Sequence, residues 1–94
     1  MKKITCKQAK EFGNLLGLDF EVIPVKEWKH AMEVELEHGL VTPYTNVSND
    51  DLMITAKIAL AHILEFPDYY YRLKRMEKQA EKYWKNKEMP TIFK

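Results

Sequence analysis

The sequence contains little cysteine, glycine and proline, and each scarcity excludes a class of protein. Cys6 is the single cysteine among 94 residues, so the chain has no internal disulfide and no zinc site built from several thiolates. Three glycines and four prolines are too few for a fibrous or low-complexity chain. Because 46% of the residues are hydrophobic, we expect one globular domain spanning residues 1–94.

Long uninterrupted apolar runs are also missing. A helix that spans a membrane needs about 18 to 20 predominantly apolar residues in a row, and no stretch of this sequence approaches that length. Lys2 and Lys3 stand near the start without an apolar run behind them, which is not the pattern of a secretory signal peptide. We therefore expect a cytoplasmic protein that does not associate with membranes.

Charge is balanced over the whole chain but unevenly distributed. The net charge is +1, yet residues 19–51 hold eight acids against two lysines, and residues 72–94 hold eight basic residues against three acids. Glu33, Glu37 and Asp50 are the candidate contacts of the acidic region with a protein partner, and both glutamates fall on a flank of their helix that we expect to be solvated. Glutamates interrupt the basic region, so direct nucleic-acid binding is less favoured than a protein partner.

The spacing of apolar residues predicts four helices. A capping box of Thr5 and Gln8 opens the first helix, and a second capping box beginning at Ser48 opens the third. The third helix is apolar almost all round, which is typical of a buried central helix. We therefore expect an all-α fold, a compact four-helix arrangement with a buried apolar third helix, a basic C-terminal helix and a tail, residues 87–94. The predicted boundaries are residues 5–17, 24–38, 49–66 and 67–86.

Three consecutive tyrosines, Tyr69 to Tyr71, begin the fourth helix. Helical geometry turns one or two of their rings inward, and the remainder would form an exposed aromatic patch of the kind that binds partners. Tyr70 is therefore a candidate partner contact, with packing in the core as the alternative.

Histidines and carboxylates share the inward sides of the two most apolar helices. Projection of the second helix places Glu35 within its apolar stripe and His38 at the edge of that stripe. The same projection gathers Asp51, His62 and Glu65 into the one polar ridge of the third helix. An unpaired charge in such a position costs several kcal/mol, so each of these groups needs a partner.

A metal ion is one such partner. Residues three apart on a helix lie about 5–6 Å apart at Cβ, so Glu35-x-x-His38 and His62-x-x-Glu65 each offer two ligands on one face. The two pairs together would supply four nitrogen and oxygen ligands to one metal ion, and Asp51 is a rival ligand. Zinc is the first choice for such a site, and iron or manganese would also suit it. Simple antiparallel packing of the helices would instead bring His38 toward Asp51, so one shared site requires a steep crossing.

The alternative is two separate polar clusters without a metal. In that interpretation His62 hydrogen-bonds to a backbone carbonyl or a tyrosine, a neighbouring acid orients the ring, and Glu65 caps the chain break before Pro67.

Four stretches of the chain are specific enough to suggest a family. VELEHG at 34–39, TNVSNDD at 45–51, KIALAH at 57–62 and EFPDYY at 65–70 resemble an uncharacterised family, a domain of unknown function found in bacteria, phages and large viruses. The resemblance covers about residues 27–80 and implies no known activity. It places the four candidate ligands within motifs of that family, alongside Asn46, Asp51 and Tyr69. Occurrence in phages suggests an accessory protein that blocks a host factor, as inhibitors of CRISPR-Cas systems do.

We therefore predict a small zinc-binding helical protein that acts by binding a protein partner, with the metal in a structural role. One alternative is a metal-free adaptor or inhibitor that uses the acidic surface. Another is a metal-dependent hydrolase, which needs an open coordination position and a cleft. The chain is expected to be a monomer or a homodimer.

Overall fold

The computed structural model describes residues 3–40 and 43–88, and within them the chain forms four α-helices and no strand. The predicted all-α, four-helix architecture is confirmed. No helix in these two ranges is both long enough and apolar enough to cross a membrane. The predicted tail lies outside the described residues from residue 89 onward. The helices are α1 (Cys6–Leu15), α2 (Val25–Glu35), α3 (Leu52–Glu65) and α4 (Tyr69–Trp84), and a 3₁₀ turn (Leu36–His38) follows α2 directly.

The start and end of α1 match the sequence prediction. The Thr5 hydroxyl accepts a hydrogen bond from the Gln8 backbone N–H at 3.0 Å, and the Gln8 side chain accepts one from the Thr5 N–H at 3.0 Å. This reciprocal pair is the predicted capping box. Gly17 adopts a φ of 78°, a left-handed conformation that costs a residue with a Cβ about 1–2 kcal/mol, so the chain turns there.

The start of α3 differs from the prediction. Asn49 and Asp50 have φ values of 53° and 61°, which are incompatible with a right-handed helix, so the helix cannot begin at Asn49. Asp51 is the capping residue instead, and its carboxylate accepts a hydrogen bond from the Ile54 N–H at 2.9 Å. The predicted capping box at Ser48 is therefore wrong, and the Ser48 side chain is buried before the helix.

The core is built mainly on α2. Trp28, Ala31 and Met32 are fully buried, and the Trp28 indole N–H donates a hydrogen bond to the Ala9 carbonyl of α1 at 2.9 Å. Gly13 allows the two helices to approach this closely, because a Cβ there would overlap the Phe20 ring and lie 3.1 Å from the Trp28 indole nitrogen. The close contact of α1 with α2 therefore depends on a glycine.

One face of α3 packs on this core. Thr55, Ala56 and Ala59 are fully buried, whereas Ile54 and Leu64 are 43% and 75% exposed. The apolar third helix is thus buried along one face, and α2 contributes more buried residues than α3 does. The remaining apolar side chains of α3 are available to form a surface.

Only the first turns of α4 pack against the other helices. Tyr70 is buried and Leu73 is partly buried, but from residue 74 to residue 88 the side chains are exposed apart from a partly buried Trp84. The molecule measures 42 × 26 × 22 Å, and its long dimension is consistent with a helix that extends away from the body. The second half of α4 therefore projects into solvent.

Candidate functional site

A hydrogen-bonded cluster joins three helices around the carboxylate of Glu35. Glu35 ends α2 and is only 2% exposed. Its Oε2 atom accepts a hydrogen bond from the Tyr70 hydroxyl of α4 at 2.6 Å and another from Nδ1 of His62 in α3 at 2.9 Å. Hydrogen bonds to a carboxylate are shorter and stronger than those between neutral groups. We call these three residues the Glu35 cluster.

The hydrogen bonds assign the proton on the His62 ring. Tyr70 has one hydroxyl proton, and it gives that proton to Glu35, so the Tyr70 oxygen can only accept from His62 Nδ1 at 3.3 Å. Both neighbours of Nδ1 are therefore acceptors, and Nδ1 carries the hydrogen. In the neutral form of a ring protonated at Nδ1 the lone pair lies on Nε2, and the His62 side chain is 30% exposed.

Two tyrosines complete the surroundings of the His62 ring. The Tyr69 ring stacks on it with centroids 4.3 Å apart and planes 4° from parallel, and Tyr69 meets Tyr70 edge to face at 5.0 Å. Burial, followed by the hydrogen bond to Glu35, raises the pKa of Tyr70 well above its usual value. Burial and the nearby charges of Glu35 and Glu65 also raise the pKa of Tyr69. Tyr70 therefore remains a proton donor to Glu35 at neutral pH.

The structure brings together two of the five predicted metal ligands. Glu35 and His62 meet directly although antiparallel packing was expected to separate them. The Asp51 carboxylate caps α3, and Glu65 is exposed. His38 belongs to the 3₁₀ turn, and its side chain lies outside the described residues. Among the side chains that are described, no group of three histidine, cysteine, aspartate or glutamate residues could hold a metal ion.

The three acids proposed as partner contacts differ in their exposure and in their hydrogen bonds within the chain. Glu37 is exposed as expected, but Glu33 is only 7% exposed, so its expected solvation is wrong. The segment before α1 crosses this flank of α2, and the Ile4 N–H donates to Glu33 Oε2 at 2.9 Å. The Asp50 carboxylate accepts from the Leu40 N–H at 2.8 Å. Two of the three acids thus serve hydrogen bonds within the chain.

The sequence prediction did not find an apolar groove beside the Glu35 cluster. The groove has a volume of about 900 Å³ and lies between the first half of α2, the end of α3 and the start of α4. Three of its lining residues are large, apolar and strongly exposed: Val22 at 75%, Leu64 at 75% and Tyr71 at 67%. The less exposed part of the groove is lined by Ile23, Ile63 and Tyr70.

The charges along the groove have mixed signs. Lys26 and Glu27 lie on the α2 side, and Asp68 and Lys74 lie on the α4 side. Tyr70 belongs to both sites, because it is one of the residues that line the groove and its hydroxyl is bound to Glu35. The sequence offered one signal for the groove, which is that Tyr71 falls outside the apolar stripe of its own helix.

The comparison with known proteins identifies a family. A family model described as a protein of unknown function, DUF5661, matches residues 9–79, and the chain belongs to this family. The match begins within α1 and ends within α4, so it includes the Glu35 cluster and all the residues that line the groove. No curated protein and no solved structure matches the chain.

Proposed function

We propose that this protein is a binding module that takes an amphipathic helix of another protein into the groove between α2 and α4. The observation that carries the proposal is the gathering of Val22, Leu64 and Tyr71, each at least two-thirds exposed, around one concave surface. Single exposed apolar residues are common on proteins, whereas a contiguous apolar patch is typical of an interaction site. Seven of the twelve residues that line the groove are apolar or aromatic, and a wall that is mainly apolar with some polar groups is the usual form of such a site.

The position of these side chains favours a helix over a small molecule. Small ligands bind in pockets that enclose most of their surface, whereas three of the side chains that line this groove, Val22, Leu64 and Tyr71, are each at least two-thirds exposed. A helix with apolar residues at i, i+3, i+4 and i+7 would cover both sides of the groove at once. Charges of both signs along the groove suit a partner whose polar face is also mixed.

The Glu35 cluster would hold this groove in shape. Tyr70 forms part of the wall, and its hydrogen bond to Glu35 fixes the first turn of α4 against α2. The contact of His62 with the same carboxylate ties α3 to this point. A groove that keeps its width before the partner arrives loses less conformational entropy on binding.

Two matched substitutions test the groove. A displayed library of amphipathic helices is first selected for binding to the unaltered protein. The selected helices should bind the Leu64→Lys variant at least about tenfold more weakly, which is a loss of about 1.4 kcal/mol in binding free energy. Leu15→Lys is the control, since Leu15 is 64% exposed on α1 and does not line the groove. It should leave affinity unchanged, with circular dichroism showing that both variants are folded. Equal binding by the Leu64→Lys variant would exclude the groove as the binding site.

A narrower form of the proposal concerns the identity of the partner. If the protein inhibits a host defence system such as CRISPR-Cas, the helix bound in the groove should belong to a protein of that system. Similarity between the helices recovered from the displayed library and a helix of such a protein would then identify the segment that binds in the groove.

One observation favours metal binding as a second candidate function. Histidines that bind a metal almost always donate their other ring N–H to a carboxylate or carbonyl, as His62 does to Glu35. Its Nε2 lone pair would be the ligand, and Glu65, one turn along α3 and exposed, would supply an oxygen. Zinc fits this nitrogen and oxygen pair first, and iron or manganese also fit it.

Metal analysis of protein purified without a polyhistidine tag tests this second candidate. About one equivalent of zinc, lost in the His62→Ala variant and accompanied by a lower melting temperature after chelation, would support a structural metal. Metal content far below one equivalent, with melting unchanged by chelator, would contradict it.

A further inference from the structure

Four lysines share one side of α4, and this side is continuous with the groove. Residues three or four positions apart lie on the same side of a helix, and this spacing joins Tyr71, Lys74, Lys78, Lys82 and Lys85. Tyr71 and Lys74 line the groove, whereas Lys78, Lys82 and Lys85 do not. The line therefore begins at the groove and continues along the part of α4 that projects into solvent. We call the four lysines the α4 basic face.

The acids of α4 lie on the neighbouring side of the helix. Glu77 and Glu81 alternate with the lysines in sequence, but each residue turns the helix by about 100°, which places these two acids beside the line of lysines. In the part of the chain that the structure describes, no salt bridge joins either glutamate to the α4 basic face. Lys74, Lys78 and Lys82 follow one another at four-residue steps, a spacing at which like charges destabilise a helix. No contact described within the chain relieves this repulsion.

The stability of α4 explains only part of this pattern. Lys82 and Lys85 lie at the C-terminal end of the helix, where cations interact favourably with the helix dipole. Lys74 and Lys78 lie in earlier turns, and the effect of the dipole is confined to the last turn. These two lysines therefore place positive charge next to the groove without a benefit to the helix itself.

We propose that the helix bound in the groove continues into an acidic segment of the same partner, and that this segment lies along the α4 basic face. The inference rests on the proposed function, because the groove helix is what brings the acidic segment to α4. Charges of both signs line the groove, whereas the α4 basic face carries one sign and is continuous with the groove through Lys74. A segment rich in carboxylates complements such a surface and would relieve the repulsion among its lysines.

The length of the α4 basic face sets the size of the acidic segment. Lys74 and Lys85 are eleven residues apart, which is about 16 Å along a helix that rises about 1.5 Å per residue. An extended segment covers this distance with about five residues at about 3.3 Å each, and a helical segment with about eleven. Because the lysines are exposed, their attraction to the segment is expected to weaken as salt is added.

Extended peptides test the acidic segment with the full chain. A helix selected on the groove is lengthened by about six residues, at its N-terminus in one pair of peptides and at its C-terminus in another. One peptide of each pair carries glutamates in the extension, and the other carries serine and glycine. At one of the two ends, the glutamate extension should bind at least about fivefold more tightly than the neutral one at low salt, and this gain should shrink at high salt. Equal affinities at both ends would overturn the proposal.

Neutral substitutions on α4 locate the gain. The variant with Lys78→Gln and Lys82→Gln should reduce the gain to about twofold or less and should bind the unextended helix unchanged, because neither lysine lines the groove. Lys7→Gln with Lys10→Gln is the matched control, since it removes the same charge from exposed positions of α1. The control should keep the full gain, with circular dichroism showing that both variants are folded. A gain that survives the α4 substitutions would also overturn the proposal.

The outcomes separate this inference from the proposed function. If the unextended helix binds in the groove and is lost in the Leu64→Lys variant, while neither glutamate extension adds affinity, only the acidic segment is wrong. If the unextended helix binds the Leu64→Lys variant as well as the unaltered protein, the proposed function is wrong and the inference fails with it.

A last arm tests nucleic acid as the occupant of the α4 basic face. Residues 72–88 hold seven basic residues and three acids, so a phosphate backbone is the competing anionic partner. A double-stranded DNA oligonucleotide should bind the unaltered protein no more tightly than it binds the Lys78→Gln, Lys82→Gln variant. Salt-sensitive DNA binding that is lost in this variant, together with no gain from the glutamate extensions, would assign the face to nucleic acid and overturn the proposal.

Discussion

Replacement of Tyr70 by phenylalanine is the sharpest test of the Glu35 cluster. The substitution keeps the ring that is packed in the core, and it removes only the hydroxyl that donates to Glu35 at 2.6 Å. The carboxylate is 2% exposed, so water cannot readily replace the lost donor. His62 would then be left as a donor to Glu35 without the help of Tyr70.

The expected cost follows from the nature of this hydrogen bond. A hydrogen bond to a charged group contributes about 1.5–3 kcal/mol, so Tyr70→Phe should lower the free energy of unfolding by about 2 kcal/mol. For a domain of this size, 1 kcal/mol shifts the melting temperature by about 4–8 °C, and the variant should melt about 8–16 °C lower.

Urea unfolding followed by circular dichroism measures this loss as a lower midpoint with an unchanged slope. Tyr71→Phe is the matched control, since Tyr71 is the next residue on α4 and is 67% exposed. It should stay within about 0.5 kcal/mol of the unaltered protein, as surface substitutions usually do. A Tyr70→Phe variant that unfolds within the same 0.5 kcal/mol would refute the assignment of this hydrogen bond as a main stabilising contact.

A double-mutant cycle separates the hydrogen bond from other effects of the substitution. Glu35→Gln alone should also destabilise the protein, because it removes the charge that both donors face. If the two groups interact as described, the double variant should lose less than the sum of the single losses, with a coupling energy of about 0.5–3 kcal/mol. Simple additivity of the two losses would mean that the groups act separately.

The remaining predictions concern pH and local backbone structure. Because burial and the hydrogen bond to Glu35 raise the pKa of Tyr70 above its ordinary value of 10.0, the unfolded chain releases this proton first as pH rises. The contribution of Tyr70 to the free energy of unfolding is therefore fully present below about pH 10 and is lost as the pH rises above 10. Above pH 10 the urea midpoint of the Tyr70→Phe variant should fall less steeply with pH than the midpoint of the unaltered protein. Gly17→Ala should cost about 1 kcal/mol in thermal unfolding because of the φ of 78°, whereas Gly17→Asn should cost less. Asp51→Ala should cost about 1 kcal/mol through loss of the α3 cap, while Asp68→Ala, which precedes α4 without a side-chain cap, should cost less than about 0.5 kcal/mol.

Local signals in the sequence predicted much of the fold. The capping pair of Thr5 and Gln8 and the break before Pro67 are encoded within four residues, and both are found where they were expected. The inward position of Glu35 also followed from helical spacing alone, and the structure confirms it. These features depend on a residue and its near neighbours, so no knowledge of helix packing was needed.

Features that depend on distant parts of the chain were not predictable in the same way. Glu33 lies on the flank of α2 that projection assigns to solvent, and it is buried because Ile4, 29 residues earlier, brings an N–H to it. Ser48 and Asp51 both resemble a helix cap, and the choice between them depends on the left-handed backbone of Asn49 and Asp50, which periodicity does not reveal. The groove likewise exists only once three helices are placed together.

The Glu35 cluster changes the physical case for a metal. A buried carboxylate without partners would cost several kcal/mol, and this cost was the reason to expect an ion between the two helices. Glu35 receives short hydrogen bonds from Tyr70 and His62, so these two donors can offset its burial without an ion. The remaining metal-binding capacity lies on the other side of the His62 ring, at Nε2. Metal titration should therefore follow the His62 ring, because a bound ion that left the His62 resonances unchanged would have to occupy a different site.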